Sequence, residues 1–414
     1  MRENEMGEVL QAIREERVTR LLADLVALAS PNPPGDEKAV SAYVADTLRA
    51  AGCRVSEVDV LPGRANVIAA CGGAGPRFVL NTHTDVVPAG AWTTGDPFQP
   101  RVEGGFLYGR GAADAKGPLA AMMAAMEVLA AHSDSLGGEV VLTAVVDEEG
   151  TSAGSKALAR DLTADYGVVG EPTSLNVMTA HRGSLRLIVE VLGTSCHSAS
   201  PSRGVNAIYE SVAVIESLRA LASRLEKVEA SRCGTPTLAL TRMSAGVSNN
   251  MVPDRCEILV DRRLVPGESE ESAAQEIDSV LEDVRRRHPS LRVRIAGRIE
   301  TTGGPANTDE NERIVELALQ AVRHVTGRVP SVGGLGVACD MVHLVGAGIP
   351  TIILGPGDIA LAHTPEERVP LHEVYHAARI YAWMVCTALS PESGEAAASR
   401  DSARRPSARV KGRL

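Results

Sequence analysis

No stretch of the chain approaches the roughly 18 consecutive apolar residues from which a membrane-spanning helix is built, so no membrane partner is expected. The opening MRENEMGEVLQAIREERVTRLL alternates charged and apolar residues at helical spacing and lacks the uninterrupted apolar core of a secretory signal. Positive charge is scarce as well. Against 52 Asp and Glu stand 42 Lys and Arg, and the formal net charge of -10 argues against nucleic acid or an anionic membrane as partner. The seven cysteines, at 53, 71, 196, 233, 256, 339 and 386, are odd in number and scattered, and no C-x-x-C pair suggests a zinc ribbon or a redox centre. That usage suits a reducing cytosol. The G-x-S-x-G elbow of a nucleophilic hydrolase is missing, and so is the glycine and lysine spacing of a P-loop. Internal repeats are absent too. These absences predict a soluble, cytoplasmic protein whose partner is a small molecule.

What is present is enough apolar sequence for a full core: 44% of 414 residues, a length that suits two domains. Periodicity predicts amphipathic helices over about 8–29 and over 36–51, the second capped near Asp36. Short apolar runs at 64–70, 78–82, 139–146, 165–169 and 350–354 read as strands, separated by helical stretches such as Gly117 to His132. Strands alternating with helices predict an α/β fold with a mixed, largely parallel sheet flanked by helices. Between 182 and 296 the order changes to β-α-β-β-α-β, which predicts an inserted α+β domain of ferredoxin-like type. The expected division is therefore 1–181 and 297–392 for the main domain, 182–296 for the insert, and 393–414 for a disordered basic tail.

In open α/β sheets functional groups gather beyond the carboxyl ends of the strands, and this chain keeps its ligand-type residues there. FVLNTHTDVVP leads into His83 and Asp85, VVLTAVVDEEG ends in Glu148 and Glu149, YGVVGEPT ends in Glu171, and TIILGPGDIALAHTPEE carries His363. Asp114 lies in the glycine-rich GRGAADAKG. Three consecutive acids, Asp147 to Glu149, after a buried strand are costly to desolvate, and no matching run of Lys or Arg offsets them. Bound metal is the natural counter-charge. Two histidines and three carboxylates, one of them bridging, would hold two zinc-like ions.

With these residues in place, the motifs THTDVVP, GRGAADAKG, DEEG, GEPT, HSASPSRGVNAI, VDRRLVPGE and GPGDIALAHTPEE resemble, in order and spacing, the M20 metallopeptidases and deacylases of the acetylornithine deacetylase and succinyl-diaminopimelate desuccinylase type. The likeness runs to about residue 390. It implies a phosphorylase/hydrolase-like zinc-peptidase catalytic domain and two divalent ions per chain, Zn(2+) first, with Co(2+) able to substitute. It makes Asp114 the bridging carboxylate, with His83 and Glu171 at one ion and Glu149 and His363 at the other. Asp85 is implied to orient the His83 imidazole, Glu148 to be the general base, and Asp147 to be structural. A cis peptide is implied after Asp114.

The inserted domain resembles the family's lid and dimerisation domain, so a homodimer is implied. His197 matches a lid histidine that steadies the oxyanion in the neighbouring subunit's site. Asn249 or Asn250, and Arg263, match lid positions that touch substrate, the arginine pairing with an α-carboxylate. Gly355 and Gly357 would let backbone amides approach it. The expected reaction is hydrolysis of the amide of an N-acyl amino acid, with a dipeptidase or carboxypeptidase as the alternative within the family. GGLGVACD, with Cys339 before Asp340, departs from the hydroxyl-bearing segment of many relatives. Two rivals from other classes are a Cys196–His197 nucleophilic enzyme and a metal-free scaffold of the same fold; adjacent strand residues face opposite ways, and the complete ligand set disfavours the scaffold.

Overall fold

The computed structural model of the chain describes residues 3–92 and 95–390. Four apolar segments form the parallel centre of a nine-stranded sheet: Glu139–Val145, Arg77–His83, Tyr166–Val169 and Thr351–Ile353, side by side in that order. Their residues are almost wholly buried, as expected for strands covered on both faces. Antiparallel strands flank them: Arg54–Leu61 and Arg64–Gly72 on one side, Val177–His181 and Ala306–Asn307 on the other. Val332–Leu335 joins Val177–His181 in parallel. The mixed α/β class follows directly. Because the four central strands run the same way, His83, Val145, Val169 and Ile353 all end on one edge of the sheet.

Helix Lys116–Ala131, rich in Ala, Met and Leu, is apolar on nearly every side, the signature of a helix enclosed by its neighbours. Glu15–Ala27 and Leu371–Ala388 pack against it, and the three share one core with Phe78, Leu80 and Leu142 of the sheet.

A separate antiparallel sheet runs from Gly183 past the expected limit of 296 to Ile299. Its order is Thr237–Ala245, Arg255–Leu264, Gly183–Leu192, Arg292–Ile299, with helices Ala207–Leu225 and Glu270–Arg287 completing its own core. In chain order this is 2-3-1-4, the ferredoxin-like arrangement. Ser269 opens the second helix with a reciprocal capping box to Ser272. The chain returns where Ala306 pairs with His181.

Three expectations need correction. The first helix is two, Glu3–Ala12 and Glu15–Ala27, broken at extended Arg14. The second begins at Lys38 rather than Asp36, and no side chain caps it, because the Glu37 carboxylate turns inward to Arg64. The exposed strand Arg54–Leu61, which lacks an apolar run, was not foreseen. Among the described residues no helix is long and apolar enough to cross a membrane. The expected tail, 393–414, lies outside them.

Candidate active site

The strand edge brings two groups of ligand-type residues together. His83 Nε2 lies 3.1 Å from Asp114 Oδ1 and 3.9 Å from Glu171 Oε1. His363 Nε2 lies 3.2 Å from Asp114 Oδ2 and 2.9 Å from Glu149 Oε1. Within each of the sets His83–Asp114–Glu171 and Asp114–Glu149–His363, the donor atoms fall within 4.8 Å of one another. Asp114 belongs to both sets and turns a different oxygen to each. The Asp114–Ala115 peptide is cis.

The electrostatics of this cluster fit a cation site. Burial pushes Glu148 and Glu171 well above the usual carboxylate range, and repulsion from neighbouring acids adds to it, while His83 opposes. Burial works the same way on Asp114, but hydrogen bonds with His363 and His83 outweigh it and hold that carboxyl low. Hydrogen bonds with Asp114 and Glu149 raise His363 to about 10. A divalent ion in either set would replace the imidazole proton as counter-charge, and a donor set of imidazole and carboxylate suits Zn(2+), Co(2+) and similar ions.

Asp85 is fully buried and does more than was expected of it. Its backbone carbonyl, 2.9 Å from His83 Nδ1, is the closer partner of the imidazole; its carboxylate stands 3.5 Å away. The carboxylate instead accepts the Glu148 and Glu149 backbone N–H groups at 3.1 and 3.0 Å and the Asn32 amide at 2.9 Å. It therefore aims the turn that presents both glutamates. Asp147 begins that turn with φ 68°, a conformation unusual outside glycine. Its carboxylate accepts from Asn32 at 3.0 Å and from the Thr151 amide and hydroxyl at 3.1 and 2.6 Å, and pairs with Arg64 at 3.0 Å. Arg64 also makes a two-pronged pair with Glu37. Arg64, shared between Glu37 and Asp147, is thus the positive charge that meets the first of the three acids.

Sequence reasoning also missed Glu367. Fully buried, its carboxylate accepts from the backbone N–H groups of Gly111, Ala113 and Asp114 at 3.1, 3.0 and 3.1 Å and pairs with Arg110 at 2.5 Å. It ties the loop of His363 to the loop of Asp114. Its place four residues after a candidate ligand was the available signal.

Of the remaining predicted residues, Gly355 and Gly357 lie against the cluster: a Cβ at Gly355 would meet the Glu171 carbonyl at 2.5 Å, and one at Gly357 would meet Ala113 at 3.2 Å. Their N–H groups donate to Thr173 Oγ1 at 3.1 Å and to Glu373 Oε2 at 2.8 Å. His197 is exposed on a loop of the second sheet, its Nδ1 accepting the Ala199 N–H at 3.0 Å. Asn249 and Asn250 are exposed on the neighbouring loop, and Arg263 pairs with Asp261 at 2.8 Å. Cys339 and Asp340 are buried, and the Asp340 charge acts on Glu148 and Glu171.

Histidines and acids gathered at the carboxyl ends of parallel strands make a cluster that could hold metal ions. The model of peptidase family M20/M25/M40 matches residues 79–386, and the chain belongs to that family, whose members are hydrolases acting on amide bonds. It is similar to an acetylornithine deacetylase of Myxococcus xanthus, at 28% identity over 91% of this chain and 97% of that protein. It is similar to an acetylornithine deacetylase of Salmonella arizonae at 32% identity over 75% and 81%. Among solved structures, a tripeptidase from Staphylococcus aureus superposes with a TM-score of 0.75 at 21% identity, covering 90% and 98% of the two chains. A dinuclear metal binding peptidase of the family from Bacillus subtilis gives 0.66 at 16% identity, covering 91% and 98%.

Proposed function

We propose that the protein is a deacetylase-type amidohydrolase that releases a free amine from an N-acyl amino acid with two divalent ions, zinc in the first instance. The observation that carries this reading is Asp114, one carboxylate with each oxygen turned to a different histidine and acid. The deacetylase relatives, matched over most of their length, support the substrate class. His83, Asp114 and Glu171 would hold one ion, and Asp114, Glu149 and His363 the other. Ions held there would supply a polarised amide carbonyl and a more acidic water. Glu148, 8% exposed and beside His83, would act as the proton carrier, accepting a proton on its carboxylate and delivering it to the departing amine. Burial suits this role, because it raises the affinity of the carboxylate for the proton it must carry. Arg263, with Asn249 or Asn250, would meet the substrate carboxylate when the insert closes as a lid, and His197 would stabilise the oxyanion of a partner's site.

The test is a hydrolysis screen of N-acetyl, N-succinyl and N-carbamoyl amino acids and dipeptides with added zinc or cobalt, alongside metal analysis. About two ions per chain and turnover of N-acetyl amino acids are expected. Preferred cleavage of dipeptides would move the protein to the peptidase side of the family. Neither metal nor turnover would make it a scaffold.

A further inference from the structure

We propose that Cys53 and Cys71 form a reversible disulfide when the protein meets hydrogen peroxide or a small-molecule disulfide, making the outer hairpin of the main sheet a redox-modification site. Strands Arg54–Leu61 and Arg64–Gly72 run antiparallel with Arg54 opposite Ala70, and the same register continued one residue beyond the first strand would set Cys53 against Cys71. Opposed residues in such a ladder have Cα atoms about 4.5–5.5 Å apart, inside the span of about 4.4–6.8 Å that a disulfide bridges. The side chains are 6% and 2% exposed and belong to the same hydrophobic core. The whole hairpin separates them in sequence, which hid the pair from any search for C-x-x-C.

Reactivity favours one order of events. The thiols face the core shared with helix Lys38–Ala50, while their chain neighbours Arg54 and Gly72 line an open cavity of about 660 Å³ on the other face of the sheet, so an oxidant reaches the thiols through local opening of this sheet edge. The Arg54 guanidinium donates to the Gly72 carbonyl at 3.1 Å and pairs with Glu139 at 2.7 Å, which fixes its positive charge beside the thiols. The neighbouring Cys71 thiol holds the Cys53 thiol below its usual range, with Arg54 acting in the same direction against burial. Cys53 and burial push Cys71 up. Thiolate is the reactive form, so Cys53 attacks and Cys71 resolves.

The Cys53 thiolate attacks one peroxide oxygen, the O–O bond breaks, and with uptake of one proton a water leaves and a sulfenic acid remains. The Cys71 sulfur displaces that hydroxyl, which departs with the Cys71 proton as a second water. Two thiols lose two electrons and two hydrogens, and peroxide becomes two waters. With a small disulfide, thiolate exchange through a mixed disulfide releases two small thiols to the same end. Because the Cys53 amide donates to the Leu48 carbonyl at 3.0 Å, the bond would also fasten the end of helix Lys38–Ala50 to the sheet edge.

The experiment treats the native protein with hydrogen peroxide, removes the peroxide, alkylates the remaining thiols in denaturant because six of the seven are buried in the fold, and counts and maps them by mass spectrometry without reductant. Alkylatable thiols should fall from seven to five. A linked Cys53–Cys71 peptide pair, lighter by two hydrogens and released by dithiothreitol, should account for the difference. The Cys71→Ser variant should stop at a Cys53 sulfenic acid that dimedone traps. Seven thiols surviving, thiols lost only elsewhere, or a link that appears only after denaturation would each overturn the proposal.

Discussion

Glu367 shows how much of the candidate site depends on a residue that touches no substrate. One oxygen accepts from Ala113 and Asp114 and the other from Gly111 and Arg110, so each oxygen serves two donors. In Glu367→Gln one oxygen becomes an NH₂ group, and whichever way the amide turns, two donors face another donor. Each buried group left unpaired costs about 1–3 kcal/mol, so the Asp114 loop should loosen. Metal affinity, followed by chelator competition, should weaken by roughly 10- to 100-fold, as for other partners that orient a ligand, and kcat should fall more than KM. Unchanged affinity would leave Glu367 a packing residue. Side by side in the turn, Glu148 and Glu149 should separate cleanly. Glu148→Ala should retain metal and lose at least about 100-fold in kcat, whereas Glu149→Ala, which removes the partner of His363, should lose metal first. The opposite pattern in metal analysis would reverse the two assignments.

At the scale of elements, legibility followed the physics of periodicity. Five apolar runs became strands, four of them because a buried parallel strand must be apolar on both faces, and the ends of those four carried His83, Glu148, Glu149 and Glu171 to one edge, while Arg64–Gly72 pairs antiparallel beside them. What periodicity cannot express is a lone polar residue whose partner is distant in the chain. Asn32, Glu37 and Arg64 each reach Asp147 in this way, and Glu367 reaches back to Gly111. The strand Arg54–Leu61 was illegible because none of its residues is fully buried and it carries no apolar run. A further element no pattern announced is the junction of the two sheets, where His181 ends one strand and His343 lies on helix Met341–Gly346. Burial lowers both imidazoles to about 4, with Lys156 and His181 adding to the effect on His343. Since the unfolded imidazole titrates near 6.5, the unfolded chain takes up protons first as the medium acidifies. The stability these groups contribute is therefore complete above about pH 6.5 and is lost as pH falls toward 4. Urea midpoints at pH 7 and pH 5 should differ more for the wild type than for His181→Gln. An equal difference would mean that the folded His181 takes up its proton as readily as the unfolded one, and that burial does not lower it.

For the whole molecule, the open question is how the second sheet serves the strand edge. His197 is exposed, and its ring nitrogen is spent on the Ala199 amide in its own loop. Near it, helix Ala207–Leu225 leaves Tyr209 74% and Val212 51% exposed, and the edge strand Thr237–Ala245 leaves Met243 45% exposed. An unpaired strand edge beside exposed apolar side chains is a surface on which a second copy can pair, and in a two-fold dimer the same patch serves both subunits. Such a dimer could offer each subunit's His197 to its neighbour. Mixing separates the possibilities. Subunits carrying His197→Ala are combined in equal amounts with subunits carrying Glu148→Ala and allowed to exchange. Acting in trans, the His197→Ala subunit keeps its own Glu148 and borrows an intact His197, so each mixed dimer regains one working site. Random pairing then restores about a quarter of wild-type activity. Acting in cis, every site lacks either the histidine or the glutamate, and the mixture stays as inactive as its parents. Exchange is verified independently with differently tagged subunits. No recovered activity after verified exchange would remove the dimeric mechanism and leave the metal site untouched, because none of the candidate ligands lies on the second sheet.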